Sequence, residues 1–585
     1  MSMPLSPPYT PLTESSSPVL PAKDRFPSVP RLHKPRDLLT PPQTPEAEKF
    51  DHQVVTNRFE RLSFGPDQGR RLSDNELSYY LTSRGDGVND MYVHHRLNAS
   101  STHMSPSRIL HIFAYQLLLH PLVASQVRFD SYEDVFFVPS RPKSLTQALT
   151  VASERYSFLV DQREIIDTYL NGPRTLSNER LGYLVVKAPS PNQSEQAKGE
   201  YEIMLCATHY LGDGMALHSF MNEFYILLGS DHSVDSISQM INDKLGLENV
   251  TIPKSLEERL PLVGNGSKLA SVVGAEESKR SEAKLIGGQS FGTNKQKLPR
   301  ETIVPTISYD KDITKKILGN CKANGVTIAH AVFALCNIAW SRKTLDKQDP
   351  CLIYSALNLR PNMLPSTSDA TSESFFHLAV GYFNIVLPTL LPSIPVSDLF
   401  WHRARMTKQQ TIKAVKSPFV VARSRETSIV RKERAVKWAK IDDEEEAKTK
   451  INDGFGLGLG MNLPEHQEEE QRPKQTKTPQ VLQLPTPETT PVIPQVQKQV
   501  SQKALMGLSM LGNLDGMYKH ASFPSIELTS LTTGSRQRNG GLLLFAYTFA
   551  GKLWFSLGYD KNGFPSGVVE GFWTEVQDLI QEVLV

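Results

Sequence analysis

Tyr201-Glu202-Ile203-Met204-Leu205-Cys206-Ala207-Thr208-His209-Tyr210-Leu211-Gly212-Asp213-Gly214 is the stretch on which the reading of this chain turns. Its first seven residues are an apolar run rich in strand formers, and Tyr183–Lys187 upstream is another, so two neighbouring strands are expected. After Gly214 the apolar residues Leu217, Phe220, Phe224 and Leu228 recur three to four apart, the face of a helix. The pattern is therefore strand, tight turn, helix, with His209 at the strand's end. Gly212 and Gly214 would allow close backbone approach and positive φ in the turn. A histidine fixed in such a turn, with a reference pKa of about 6.5, can take a proton from a hydroxyl or amine near neutral pH. Asp213 need not touch the ring; its carboxylate could tie the turn down through an arginine. A His and an Asp at this spacing also arise by chance, so the motif needs support from the rest of the chain.

Outward from that segment, residues 108–120 carry Ile109, Ile112, Phe113 and Leu117 on a helical period. In the second half Thr327 is a plausible cap for a helix through Ala331, Leu335, Ile338 and Ala339. Strands are expected at 352–356, 379–387, 542–549 and 553–559, and an amphipathic helix at 568–585 with Phe572, Val576, Leu579, Ile580 and Val583 on one side. Three stretches read as unable to fold: a Pro- and Ser-rich arm at 1–55, a Gly, Ser and Lys-rich linker at 262–298, and an insertion at 441–500. That leaves an N-terminal block at 56–261 and a C-terminal block made of 299–440 and 501–585. The fold class expected is α/β (α+β), two mixed layers of sheet and helix. Gly454–Gly460 fits neither GxGxxG nor a P-loop and reads as a loop. Arg431-Lys432-Glu433-Arg434, with Lys437 and Lys440, reads as a solvated helix face.

At 585 residues the chain has room for two domains of roughly 100–200 residues each plus segments without a core, to which its 40 prolines point. With 64 basic against 62 acidic residues the net charge is +2, which gives no electrostatic case for a nucleic-acid or membrane-surface partner. The four cysteines lack CxxC spacing, so neither a zinc site nor a disulfide framework is expected and no metal is assigned. No window reaches the roughly 18 uninterrupted apolar residues of a membrane span, and the Pro/Ser-rich start has no signal-peptide core; a cytoplasmic monomer is the expectation.

The segment from His209 to Gly214 resembles the HxxxDG motif of the chloramphenicol-acetyltransferase-like superfamily, which includes plant acyltransferases, peptide-synthetase condensation domains and fungal alcohol acyltransferases. The resemblance extends along the chain. Arg61-Leu62-Ser63 and Leu72-Ser73-Asp74-Asn75 look like the opening of such domains, and His120-Pro121-Leu122 resembles the segment after their first helix. Asn358-Leu359-Arg360-Pro361 looks like their arginine-bearing strand. Gly381-Tyr382-Phe383-Asn384 resembles a GNF-type element, and Ser509-Met510-Leu511-Gly512-Asn513 a late serine–glycine segment. Together these cover about 56–430 and 500–585, with the fungal trichothecene O-acetyltransferase type as the nearest in character. Residue 208 is Thr, so the doubled His of condensation domains is absent. No DFGWG element is present, so the plant subgroup fits poorly. His94-His95 lacks a following Asp-Gly, and His218, His330 and His377 read as packing or surface residues.

The resemblance implies two chloramphenicol-acetyltransferase-like domains with the active-site channel between them. It implies His209 as general base, Asp213 as the partner of Arg360, and Gly214 lining the acyl tunnel. Asn384 and Ser509 would serve substrate binding or structural support, Ser509 as a donor to the oxyanion, although a cap or turn explains that serine as well. No cofactor is bound in this reading. An acyl-CoA, acetyl-CoA first among them, is the co-substrate, and the acceptor is a small-molecule alcohol or amine, an alcohol by preference, of the kind found in secondary metabolism. The alternatives are an idle scaffold of the same fold, or a condensation-type enzyme with a carrier-bound donor.

Overall fold

The computed structural model describes residues 69–160, 164–189, 198–246, 252–261, 268–283, 285–296, 298–364, 374–455 and 503–585. Arg61-Leu62-Ser63, the 1–55 arm, and the 441–500 insertion from 456 onward lie outside the described residues.

The strand Gly199–Ala207 explains its own unbroken apolar run. Ile203, Leu205 and Ala207 join Leu184 and Val186 of the strand Gly182–Lys187 in the main core on one face. Met204 and Cys206 join Val185, Tyr92 and Tyr169 in a smaller core on the other. A sheet covered on both faces needs apolar residues at successive positions rather than alternate ones. This five-stranded sheet runs Glu527–Ser535, Met91–Ala99, Gly199–Ala207, Gly182–Lys187, Tyr156–Leu159, antiparallel except for its last pair. On its main face lies the helix Pro106–Leu119, opened by Ser105 and Pro106 and burying Ile109, Ile112 and Phe113. Beside it the helix Gly214–Leu228 buries Leu217, Phe220, Phe224 and Leu228. The buried Arg108 guanidinium closes the C-terminal end of that second helix, donating to the carbonyls of Leu227 at 3.2 Å, Leu228 at 3.3 Å, Ser230 at 2.7 Å, and His232. It satisfies carbonyls that a helix end leaves without partners.

A seven-stranded mixed sheet carries the second half, in the order Val380–Leu387, Cys351–Asn358, Met506–Asn513, Leu542–Phe549, Lys552–Asp560, Thr302–Ile303, with Thr306–Tyr309 also paired to Lys552–Asp560. The helices Ile328–Lys343, Val396–Val415 and Val568–Val583 pack on it through Leu335, Phe400, Phe572 and Leu579, against Phe555 and Leu557. Thr327 caps the first of them, and the His330 ring accepts from the Thr327 amide at 3.1 Å.

Three features depart from the sequence reading. The 262–298 stretch holds a helix, Lys268–Ala283, which packs on the helix Val420–Phe455. That longer helix runs through the acidic residues 442–446 at which the insertion was expected to begin. Asp443 accepts from Arg84 at 2.6 and 2.9 Å and from the Tyr132 hydroxyl at 2.7 Å, so distant partners order what looks by composition like a solvated run. Finally, Glu527–Ser535 leaves the second half and pairs with Met91–Ala99. Leu528 and Leu531 thereby enter the first core, and Pro66–Val585 holds together as one unit. Among the described residues no single helix is long and apolar enough to cross a membrane.

Candidate active site

The strand Gly199–Ala207 ends one residue before the turn, and Asp213 starts the helix Gly214–Leu228 as its N-cap, its Oδ1 accepting from the Ala216 amide at 3.1 Å. The turn is as tight as expected, but neither Gly212 nor Gly214 has a positive φ. Space, not backbone angle, is what favours glycine, and at Gly212 most of all. A Cβ on Gly212 would stand 2.9 Å from the Phe376 ring and 3.1 Å from the Ala216 Cβ, and one on Gly214 would stand 3.2 Å from the Leu511 side chain.

Asp213 does not face the histidine. Arg360 Nη1 lies 2.9 Å from Oδ1 and 2.8 Å from Oδ2, and the Ala379 amide donates to Oδ2 at 2.9 Å. Arg360 spends its second nitrogen on the His377 carbonyl at 2.9 Å. It stands in a short 3-10 turn, Arg360–Asn362, just past the strand Cys351–Asn358 rather than within it. The buried carboxylate would by burial alone be pushed up, but the Arg360 guanidinium and the amides of Ala379 and Ala216 outweigh that and hold it below its usual range. This knot joins the two halves: the aspartate comes from the first, the arginine and Ala379 from the second.

His209 is half-buried. Its Nδ1 lies 3.1 Å from the carbonyl oxygen of Gly212. A carbonyl only accepts, so Nδ1 carries the proton and Nε2 is left as the basic nitrogen. Burial pushes the imidazole below its usual range, and the charge of Arg431 adds to that, while the backbone carbonyls and Asp213 oppose it. The ring stacks on Tyr79, centroids 4.3 Å apart and planes inclined by 23°. Tyr79 comes from the helix Asp74–Ser83, whose capping box is built by Ser73 of the opening segment and by Glu76 just past it. The Tyr79 hydroxyl meets that of Tyr382. Over both tyrosine rings lies the Arg431 guanidinium, 4.7 Å from the Tyr79 centroid and 4.5 Å from that of Tyr382.

No family model matches the sequence, and neither does any curated protein. The likeness is to solved structures. The TRI3 trichothecene 15-O-acetyltransferase from Fusarium sporotrichioides superposes with a TM-score of 0.64 at 11% identity, over 88% of this chain and 95% of that one. The EpoB cyclization-docking bidomain of a peptide synthetase from Sorangium cellulosum gives 0.52 at 11% identity, over 91% and 90%. The epimerization domain from the third module of tyrocidine synthetase B gives 0.51 at 10%, over 88% and 97%. The chain has the two-domain chloramphenicol-acetyltransferase-like fold. At these identities the likeness is one of fold, and the chemistry has to be argued from the site.

Within the chloramphenicol-acetyltransferase-like frame, His209, Asp213, Gly214 and Arg360 come together at the junction of the halves. Asn384 and Ser509 stand on strands of the second sheet. Among the described residues neither hydrogen-bonds to His209, Asp213 or Arg360. Asn384 sits opposite Tyr354 on the strand Val380–Leu387. Ser509 lies inside the strand Met506–Asn513 opposite Phe545, so it is neither a cap nor a turn residue. His94 bonds Glu202 at 2.8 Å, His95 packs among Tyr225, Tyr518 and Phe549, and His218 bonds the Tyr518 hydroxyl at 2.9 Å. Sequence reasoning missed Tyr79, Tyr382 and Arg431. Tyr382 lay in the quoted GNF-type element, two residues from the Asn chosen. Arg431 lay in a run read as solvated, and only its place in the fold turns it inward.

Proposed function

We propose that this chain is an acyltransferase in which His209 Nε2 is the general base, with an acyl-CoA, acetyl-CoA by preference, as donor and a small-molecule alcohol or amine as acceptor. The observation that carries the reading is the Nδ1–H bond to the Gly212 carbonyl, which leaves Nε2 unprotonated in a half-buried residue. Its lowered pKa keeps it neutral at working pH. Nε2 takes the proton of the acceptor hydroxyl or amine as its oxygen or nitrogen bonds to the thioester carbonyl carbon. The tetrahedral oxyanion collapses, the C–S bond breaks, and the thiolate leaves with the proton held by the imidazolium. No acyl-enzyme forms. Asp213, Arg360 and Ala379 act at a distance from the chemistry by fixing the turn that aims the ring. O-acylation is the favoured outcome in this reading, because an alcohol, unlike a neutral amine, needs its proton drawn off to attack. The shared fold of an acetyltransferase is consistent with the donor, and a secondary-metabolite alcohol is the acceptor class this reading favours.

The test is thioester consumption by the purified chain with acetyl-CoA and a pool of alcohols and amines. His209→Ala should lower turnover by about 10²–10⁴-fold. Equal turnover in the variant removes His209 from the chemistry, and no thioester consumption by the parent chain sinks the reading.

A further inference from the structure

Arg431 stands apart from the other inward-facing basic residues on the helix Val420–Phe455. Arg425 donates to the carbonyls of Glu257 at 2.7 Å and Leu260 at 2.8 Å, Arg423 pairs with Glu277 at 3.5 Å, and Lys432 pairs with Asp74 at 3.0 Å. Arg431 is half-buried, yet among the described residues no carboxylate pairs with it. Its surroundings are the π faces and hydroxyls of Tyr79 and Tyr382. Those faces compensate part of the cost of burying the charge. They fix the plane of the guanidinium, while its five N–H donors call for more acceptors than two phenol oxygens supply. A planar fork held this way is shaped for a bidentate oxyanion ligand.

Position supplies the second half of the argument. Tyr79 is the common wall: its ring stacks on His209 at 4.3 Å and also lies beneath Arg431. An anion seated on Arg431 would therefore stand within a small molecule's length of the base. The phosphates of a CoA donor are at the far end of the pantetheine arm from the thioester, so a cation beside the base is misplaced for them. Left unpaired, Arg431 also weakens the base it adjoins, a cost that a bound anion removes.

We infer that Arg431 reads a carboxylate on the acceptor, so that the substrate class is a hydroxy acid or amino acid derivative acylated on a group a few bonds from its carboxylate. This rests on the acyltransfer reading above. Tyr79 and Tyr382 are positioning residues that hold the fork.

The full chain is incubated with isotope-labelled acetyl-CoA and a small-molecule extract, and the labelled products are sorted by charge before and after methyl esterification. Acidic products are expected, and wholly neutral products overturn the inference. No labelled product at all tells against acyl transfer itself, a different failure. For the main acidic product, its parent acceptor and that acceptor's methyl ester are then compared as substrates. Arg431→Met should raise KM for the acid more than for the ester, so that the preference for the acid shrinks by roughly 30-fold or more. Arg431→Lys, which keeps the charge and guards against a folding artefact, should restore part of it. A loss in kcat common to acid and ester, with the preference intact, overturns the inference and marks Arg431 as an oxyanion or packing group.

Discussion

Replacing Asp213 by Asn tests whether the turn is held by charge or by shape. The side chain is 4% exposed and accepts from Ala216, from Ala379, and twice from Arg360 Nη1. Breaking a buried, hydrogen-bonded ion pair from one side costs roughly 3–5 kcal/mol, because the other charge is left behind. The Arg360 side chain is 21% exposed and can rehydrate in part, which puts the expected loss near the lower end, about 3 kcal/mol. Asparagine is itself a good N-cap, so the helix start survives. Its NH2 would, however, face the guanidinium in either orientation, together with the Ala379 or the Ala216 amide, a donor against donors. Arg360→Met should cost a similar amount, and the double variant little more than either one alone, a coupling of about 2–3 kcal/mol. Urea unfolding of the four proteins followed by fluorescence measures the cycle, with kcat recorded well below each midpoint. Additivity to within about 0.5 kcal/mol would show that the pair does not act as a unit and would refute the reasoning. The pH dependence has a definite sign. A carboxylate with a folded pKa below its unfolded value of about 3.9 stabilises fully above that value and loses its contribution as pH falls through the lower one. Parent and variant should converge in strong acid and stay apart near neutrality.

Other outcomes follow from the same geometry. Because burial and Arg431 hold the His209 imidazole below its usual range, the acid limb of kcat/KM should fall below about pH 6.5; a limb at or above that value counts against the assignment. Arg431→Met should move the limb upward and Asp213→Asn downward, since the arginine opposes the imidazolium and the aspartate favours it. Gly212→Ala should cost about 1–3 kcal/mol, from a Cβ set 2.9 Å from the Phe376 ring, and should slow turnover by displacing the carbonyl that holds Nδ1. Parent-like stability and rate in that variant would show that the turn has room to spare.

Local pattern made much of this molecule legible from its residues. The strand up to Ala207, the turn and the helix from Gly214 follow from apolar spacing and glycine. The Ile328–Lys343 and Val568–Val583 helices follow in the same way. These signals are short in range, and the physical preferences behind them act within a few residues. The Asp213–Arg360 contact spans 147 positions, and only the likeness to a known motif suggested it.

What lay outside reach is what depends on partners distant in sequence. Asp443 in a charge run is indistinguishable from a solvated acid until Arg84 and Tyr132 are set beside it. Leu528 and Leu531 give no hint that their strand will cross into the other sheet. Arg431 sits among exposed charges in the chain and among aromatic rings in the fold. The sequence by itself determined which segments could bury an apolar face and placed a histidine at a strand's end. Tertiary packing alone decided which charges lost their water, and with it the base's surroundings, because desolvation is a property of the assembled interior and not of any stretch of residues.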